Sequence, residues 1–278
     1  MSAVATGHVF ASIRIVGGLL PADMLARIAD GKDISASKPA DYHVVGARSV
    51  QDDAERHWDY LKGAWRALRA ALGDDDRDPV GLTVENWLLP LFEEHGFGRL
   101  QRLPVGIYVG EQAPAFPVSH RWEHVPVHLA AWDADLDKRP AGGGLPPQSM
   151  LQEFLNRSPA HMWGILANGR HLRILRDSTS LVGSSYIDVD LEAMFDGELV
   201  SEFVVLYRLL HVSRYEIPDG AAPSPGAPRC CSCATASTSS CPAATATGRS
   251  SPRTPACSAS KARQVPRTGC PTTRPRRC

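Results

Sequence analysis

Three aspartates alternate in Trp132-Asp133-Ala134-Asp135-Leu136-Asp137, and closely placed carboxylates are the usual ligands of a hard divalent cation. On a strand all three would share one face. The stretch instead leaves an apolar segment for a loop rich in Pro and Gly, so the preferred reading is a solvated acidic turn. His120, His124 and His128 are spaced by four, which would stack them on one helix face as metal ligands. The intervening residues argue for a strand: Val125, Val127 and Leu129 alternate with Pro126 and His128, which turns His128 away from the apolar side. No metal site is expected from either group.

Phe195-Asp196-Gly197-Glu198-Leu199 half-matches a Phe-x-Gly-x-Gly nucleotide loop, in which glycines let the backbone approach the cofactor. Its second glycine is missing, and it falls between helical segments rather than after a strand. The Asp/Asn-Pro-Pro-Tyr/Phe tetrad that grips the exocyclic amine of a flipped adenine is absent, since Pro146-Pro147 stands in Leu-Pro-Pro-Gln. Gly-x-Ser-x-Gly, the phosphate-binding Gly-x-x-x-x-Gly-Lys-Ser/Thr and His-Glu-x-x-His do not occur either. No catalytic, cofactor-binding or metal-binding residue is therefore assigned.

The elements that position these residues follow from periodicity and punctuation. Residues 49–73 predict an amphipathic helix, with Ser49 and Asp52 as a capping box and Trp58, Leu61, Trp65, Leu68 and Leu72 at three-four spacing. Residues 83–95 predict a second helix that tolerates Pro90 with a bend and stops at Gly96. Residues 105–109 and 125–130 read as strands, 137–147 as a Pro/Gly loop and 149–156 as a helix. Residues 162–167 and 172–175 form strand-like runs joined at Asn168-Gly169, a strong hairpin signal. A strand at 186–189 leads into the helical residues 190–215. The fold class expected is α+β or α/β, with a small mixed sheet and flanking helices.

Composition divides the chain. All seven cysteines (Cys230, Cys231, Cys233, Cys241, Cys257, Cys270 and Cys278) lie beyond Asp219, after which no Asp or Glu occurs. From Gly220 onward Val265 is the only large aliphatic or aromatic residue, too little apolar surface to offset ordering entropy, so a disordered tail is expected. Its Ala, Pro, Arg, Ser, Thr and Cys bias fits out-of-frame translation of a GC-rich gene better than a zinc module, for which it has no His. The formal charge of zero conceals an acidic front: nine of the 30 Lys and Arg lie in the tail, leaving 21 against 30 acids. Such a surface does not grip DNA backbone broadly. Without an apolar run of about 20 residues, no membrane partner is expected. Residues 1–18 have no basic start followed by a clean apolar core, and a cytoplasmic location is expected.

LQEFLNRSPAHMWGILANGRHLRILRDSTSL (151–181), SYIDVDLEAMFDGEL and VLYRLLHVSRYE resemble the N-terminal region of large type IIG-like restriction-modification adenine methyltransferases, including that of the DISARM phage-defence system. NWLLPLFEEHGFGRL (86–100) and FPVSHRWEHVPVHLAAWDADLD (116–137) follow the same pattern in the same order. The resemblance implies a domain that precedes an S-adenosylmethionine domain and a target-recognition domain in a full-length parent, with DNA and other defence-system subunits as partners. It ends at Glu216, where the composition changes, which points to a truncated parent. The expected division is 1–80, helical or mixed; 81–216, an α/β domain; and 217–278, the tail.

The resemblance also implies a PD-(D/E)XK nuclease-like core, with Glu85 in the place of its helix glutamate and Gln152 in that of a later polar residue. That core needs a carboxylate ending one strand and Glu-x-Lys on the next, so that a metal ion and a lysine activate water. Here the corresponding segment is Val127-His128-Leu129-Ala130-Ala131, so the core is degenerate. Trp163 with Arg170, Arg173 and Arg176 is the nearest approach to a nucleic-acid surface, with a solvated face preferred. The leading expectation is a non-catalytic fragment for scaffolding or DNA positioning. The alternatives are a Mg-dependent nuclease using Glu85 and Asp133 to Asp137, and a stand-alone DNA-binding module using the tail cations.

Overall fold

The computed structural model describes residues 10–217 apart from 22, 32–33, 74–77, 111–113 and 178–184; the expected disordered tail with its cysteines lies outside the described residues. In chain order the elements are β1 (Ile13–Val16), α1 (Met24–Asp30), α2 (Val50–Ala71), α3 (Pro79–Thr83), a π turn (Val84–Leu88), α4 (Leu89–Glu94), β2 (Gln101–Arg102), β3 (His120–Trp122), β4 (Val125–Leu129), α5 (Pro147–Arg157), β5 (Trp163–Ala167), β6 (His171–Arg176), β7 (Tyr186–Asp190), α6 (Leu191–Asp196) and α7 (Val200–Leu210). Short 3-10 turns occur at Pro39–Tyr42 and Val212–Arg214.

The strands form one mixed sheet of seven in the order β1-β7-β6-β5-β4-β3-β2, flanked by helices. Every neighbouring pair is antiparallel except β4 and β5. Parallel neighbours need a crossover, and α5 supplies it between β4 and β5. β5 and β6 are instead joined by a tight turn in which Gly169 takes φ 86° and the Asn168 Oδ1 accepts the N–H groups of Arg170 and His171 at 3.1 and 2.8 Å. The strand β1, from the first 80 residues, pairs with β7, so described residues on both sides of position 80 build the same sheet.

Alternation along the strands gives the sheet two apolar faces. Val127, Ile165, Ala167, Leu172, Ile174, Ile187 and Val189 join one core with Leu61, Trp65 and Leu68 of α2, Leu91 and Phe92 of α4, and Phe203 and Leu206 of α7. Leu166 and Leu175 face the other way, onto Met150, Leu151, Phe154 and Leu155 of α5. Gly164 lets α5 approach, because a Cβ there would lie 3.3 Å from both Leu151 and Leu155 side chains.

Helix α2 forms where expected: the Ser49 side chain accepts the Asp52 N–H while the Asp52 carboxylate accepts from the Ser49 N–H, and Trp58, Leu61, Trp65 and Leu68 make its buried stripe. Around Pro90 the outcome differs in form. The helical run starts four residues earlier than expected, capped by the Asp78 carboxylate on the N–H groups of Val80 and Gly81. Proline has no N–H to offer, and the chain absorbs it by widening the preceding turn, where the Leu89 N–H bonds to the Val84 carbonyl. Residues 105–109 do not form the expected strand; they contribute a single bridge from Ile107 to Phe116, because Gly106 and Gly110, at φ 82° and 90°, turn the chain out of a ladder. Among the described residues no helix is long and apolar enough to cross a membrane.

Candidate functional site

A groove of about 750 Å³ runs between the helical segment 78–93 and the β2 edge of the sheet. One wall carries Asp78, Glu85 and Glu93, interleaved with Val80, Val84 and Leu89; the opposite rim carries Arg99 and Arg102; Ser119, His120 and Leu129 form the floor. The wall is fixed from behind. The Trp87 indole N–H donates to the Gly169 carbonyl at 2.9 Å, and Trp87 lies edge-on to Trp65 and Phe195 with ring centroids 5.1 and 4.9 Å away. At its far end the Glu94 carboxylate meets the imidazole of His57 from α2.

On the floor, the Ser119 Oγ accepts the Leu129 N–H at 2.8 Å and stands 2.9 Å from the His120 Nδ1. Burial, with the Arg102 charge adding to it, pushes His120 below the ordinary imidazole value. Pairing of β3 with β4 sets His120 opposite Val127 and so puts it on the same face of the sheet as Val127 and Leu129. Val127 is buried in the core, and Leu129, 7% exposed, is the apolar residue that β4 contributes to the groove.

The residues singled out from sequence disperse. His120 lies on β3, His124 in the turn that follows, and His128 on the opposite face of β4, where burial first and the His120 charge second push it down to about 4. The aspartates behave as a turn: the Asp135 Oδ1 accepts the Asp137 N–H at 3.0 Å, the Asp135 carboxylate pairs with Lys138 at 2.7 Å, and Asp137 is bound by Arg173. Among the described residues no three His, Cys, Asp or Glu side chains are grouped so as to hold a metal ion. The glycine motif at 195–199 joins α6 to α7, and the Asp196 Oδ1 accepts the Trp65 indole N–H at 2.8 Å. Gln152 turns inward, donating to the Arg176 carbonyl at 2.8 Å.

The arginines of β6 and its turn do not make an open basic face. Arg173 is 8% exposed and binds both Asp137 oxygens at 2.7 Å each, Asp188 at 3.0 Å and the Gln148 Oε1 at 3.2 Å. Arg170 pairs with Glu192 at 2.8 Å, and Arg176 sits over Trp163, itself only 6% exposed. The solvated face preferred for this hairpin is corrected at Arg173, which is buried, and all three guanidiniums meet carboxylates or rings of the chain itself.

Two polar clusters escape a reading of motifs. Asp188, 2% exposed, receives Arg173 and Arg14 at 3.0 and 2.8 Å, with the His171 Nδ1 at 3.6 Å. Burial would raise its carboxyl, yet contacts from His171, Arg14 and Arg173 outweigh that and hold it well below the usual range. The alternation Tyr186, Asp188, Asp190 was the available signal, a polar stripe on a strand. In the second cluster the Tyr207 hydroxyl donates to the Asp53 Oδ2 at 2.9 Å, beside His57 and the fully buried His95.

Comparison of the chain with protein-family models, characterised proteins and solved structures finds no match.

Proposed function

We propose that this chain is the N-terminal, non-catalytic module of an S-adenosylmethionine-dependent adenine-specific DNA methyltransferase of restriction-modification or phage defence, acting as a scaffold or DNA-positioning element. The motif strings of residues 86–100, 116–137 and 151–216 support the parent family. The order helix, three antiparallel strands, crossover helix and parallel strand, from α3 to β5, supports a PD-(D/E)XK-like core within it.

The observation that carries the non-catalytic part is the apolar pair on one face of β4, Val127 buried in the core and Leu129 lining the groove, where a working nuclease of that kind has Glu-x-Lys. Glu85 lines the groove with Asp78 and Glu93, but these carboxylates are not grouped as a metal site and no lysine joins them in the lining to activate water against a phosphodiester. The Mg-dependent alternative also needs Asp133 to Asp137. Asp137 is committed to Arg173 and Asp135 to Lys138, which disfavours it. The stand-alone DNA-binding reading rests on tail cations outside the described residues.

Calorimetric titration with S-adenosylmethionine and incubation of supercoiled plasmid with Mg²⁺ or Mn²⁺ test this function. No binding and no nicking are expected. Micromolar cofactor binding sinks the reading, and nicking that Glu85→Ala abolishes replaces it with the nuclease.

A further inference from the structure

Glu85 and Glu93 stand exposed on one wall of the groove, Arg99 and Arg102 exposed on the rim opposite. None of the four forms an ion pair with another described residue, so opposite charges share a groove without closing on one another. Val80, Val84 and Leu89 share the wall with the carboxylates, Val80 being 47% exposed, and Leu100 and Leu129 complete the apolar lining. The groove thus has a wall that mixes carboxylates with apolar side chains and a basic rim.

Its proportions select among ligands. From Asp78 to Glu93 the helical wall is about 20 Å long, the span of about six extended residues. Spread along that length, 750 Å³ leaves a section on the order of 40 Å², comparable with one extended chain, whose packed neighbours sit about 4.8 and 10 Å away. Nucleic acid fits less well: three carboxylates would face its phosphates, and the chain before Gly220 carries 21 basic against 30 acidic residues.

We infer that the groove holds an extended peptide segment of a partner protein that carries a basic and an acidic side chain around an apolar residue. The basic side chain meets Glu85 and Glu93, the acidic one meets Arg99 and Arg102, and the apolar one covers Leu89 and Leu129. This rests on the scaffold half of the proposed function and gives it a partner. Charges at the two sides of such a groove set register and orientation, while the apolar contact supplies most of the affinity.

Panning a phage-displayed library of random heptapeptides against the immobilised full chain at low salt tests the inference. Enriched peptides are expected to combine Lys or Arg with Asp or Glu across an apolar residue. Their affinity should fall about tenfold or more in the charge-swapped variant Glu85→Lys, Glu93→Lys, Arg99→Glu, Arg102→Glu. All four positions are exposed, and an unchanged circular-dichroism melt verifies that the variant folds. Enrichment no better on the wild type than on the variant overturns the inference. So does binding of a 24-base-pair DNA duplex that Arg99→Ala with Arg102→Ala abolishes. Cofactor binding or plasmid nicking would count against the methyltransferase module and leave the peptide result standing. Failure to capture peptides would leave that module untouched.

Discussion

The indole N–H of Trp87 donates to the carbonyl of Gly169 across 2.9 Å, tying the helical wall of the groove to the hairpin turn between β5 and β6. Trp87 is fully buried, and a Cβ at Gly169 would stand 2.6 Å from the Thr83 Cγ2 while φ is already 86°. The turn and the helix therefore hold each other in place. Trp87→Phe keeps most of the ring packing and loses the hydrogen bond, leaving a buried carbonyl without its donor, at a cost of about 1–3 kcal/mol. Gly169→Val adds strain and a clash, and should cost at least as much. Urea unfolding measures both; a Gly169→Val midpoint equal to wild type would show that turn and helix are not in contact.

Arg173 is the hinge of the buried polar layer under α5. Removing it by Arg173→Ala leaves Asp188 without its inner cation and should cost about 3–5 kcal/mol. Asp137→Ala, at an aspartate whose side chain is 57% exposed, should cost under about 1 kcal/mol. A reversal of that order in chemical denaturation would mean that the turn at 133–137, not the sheet, depends on this arginine.

Asp188 should make stability depend on acid. Its folded carboxyl lies well below the ordinary 3.8, so the unfolded chain binds the proton first. The contribution is complete above about pH 4 and is lost as the pH falls below it. Asp188→Asn should therefore be less stable than wild type at pH 7, with the gap narrowing below pH 4. A gap that stays constant from pH 7 to pH 3 would mean that the carboxylate is not held by its cations.

Much of the scaffold was legible before the structure. The capping box of Ser49 and Asp52 and the three-four stripe of α2 are local signals, and Asn168-Gly169 is another; each is satisfied within a few residues of itself. β2 and β3, of two and three residues, are too short to carry a period, and they exist because β4 offers an edge to β3 and β3 in turn to β2. The groove was illegible for a similar reason. Glu85 and His120 stand out in the sequence for other pairings and Glu93 and Arg102 not at all, and only the packing of the helix over the sheet edge brings the four to one cavity. Arg173 was misread because its spacing from Arg170 and Arg176 says nothing of Asp188, which approaches from the next strand.

His95 supplies a second pH dependence with its own window. It is wholly buried, its Nδ1 lies 2.7 Å from the Leu91 carbonyl, and desolvation pushes it from 6.5 down to about 4. Tyr207 and Phe203 pack against the ring, and the His57 charge also opposes protonation. Being depressed, it contributes stability that is full above pH 6.5 and lost as the pH falls toward 4, on the order of 3 kcal/mol in all. His95→Leu should flatten the stability profile between pH 6.5 and 4. An unchanged slope would assign the acid sensitivity elsewhere.

The coding DNA beyond the codon for Ile217, translated in the other two forward frames, tests the central claim most directly. The account predicts that one frame continues with an apolar helical pattern and reaches a Phe-x-Gly-x-Gly and an Asn-Pro-Pro-Tyr. If neither frame carries those motifs, this chain is not the front of a methyltransferase, and the proposed parentage is contradicted.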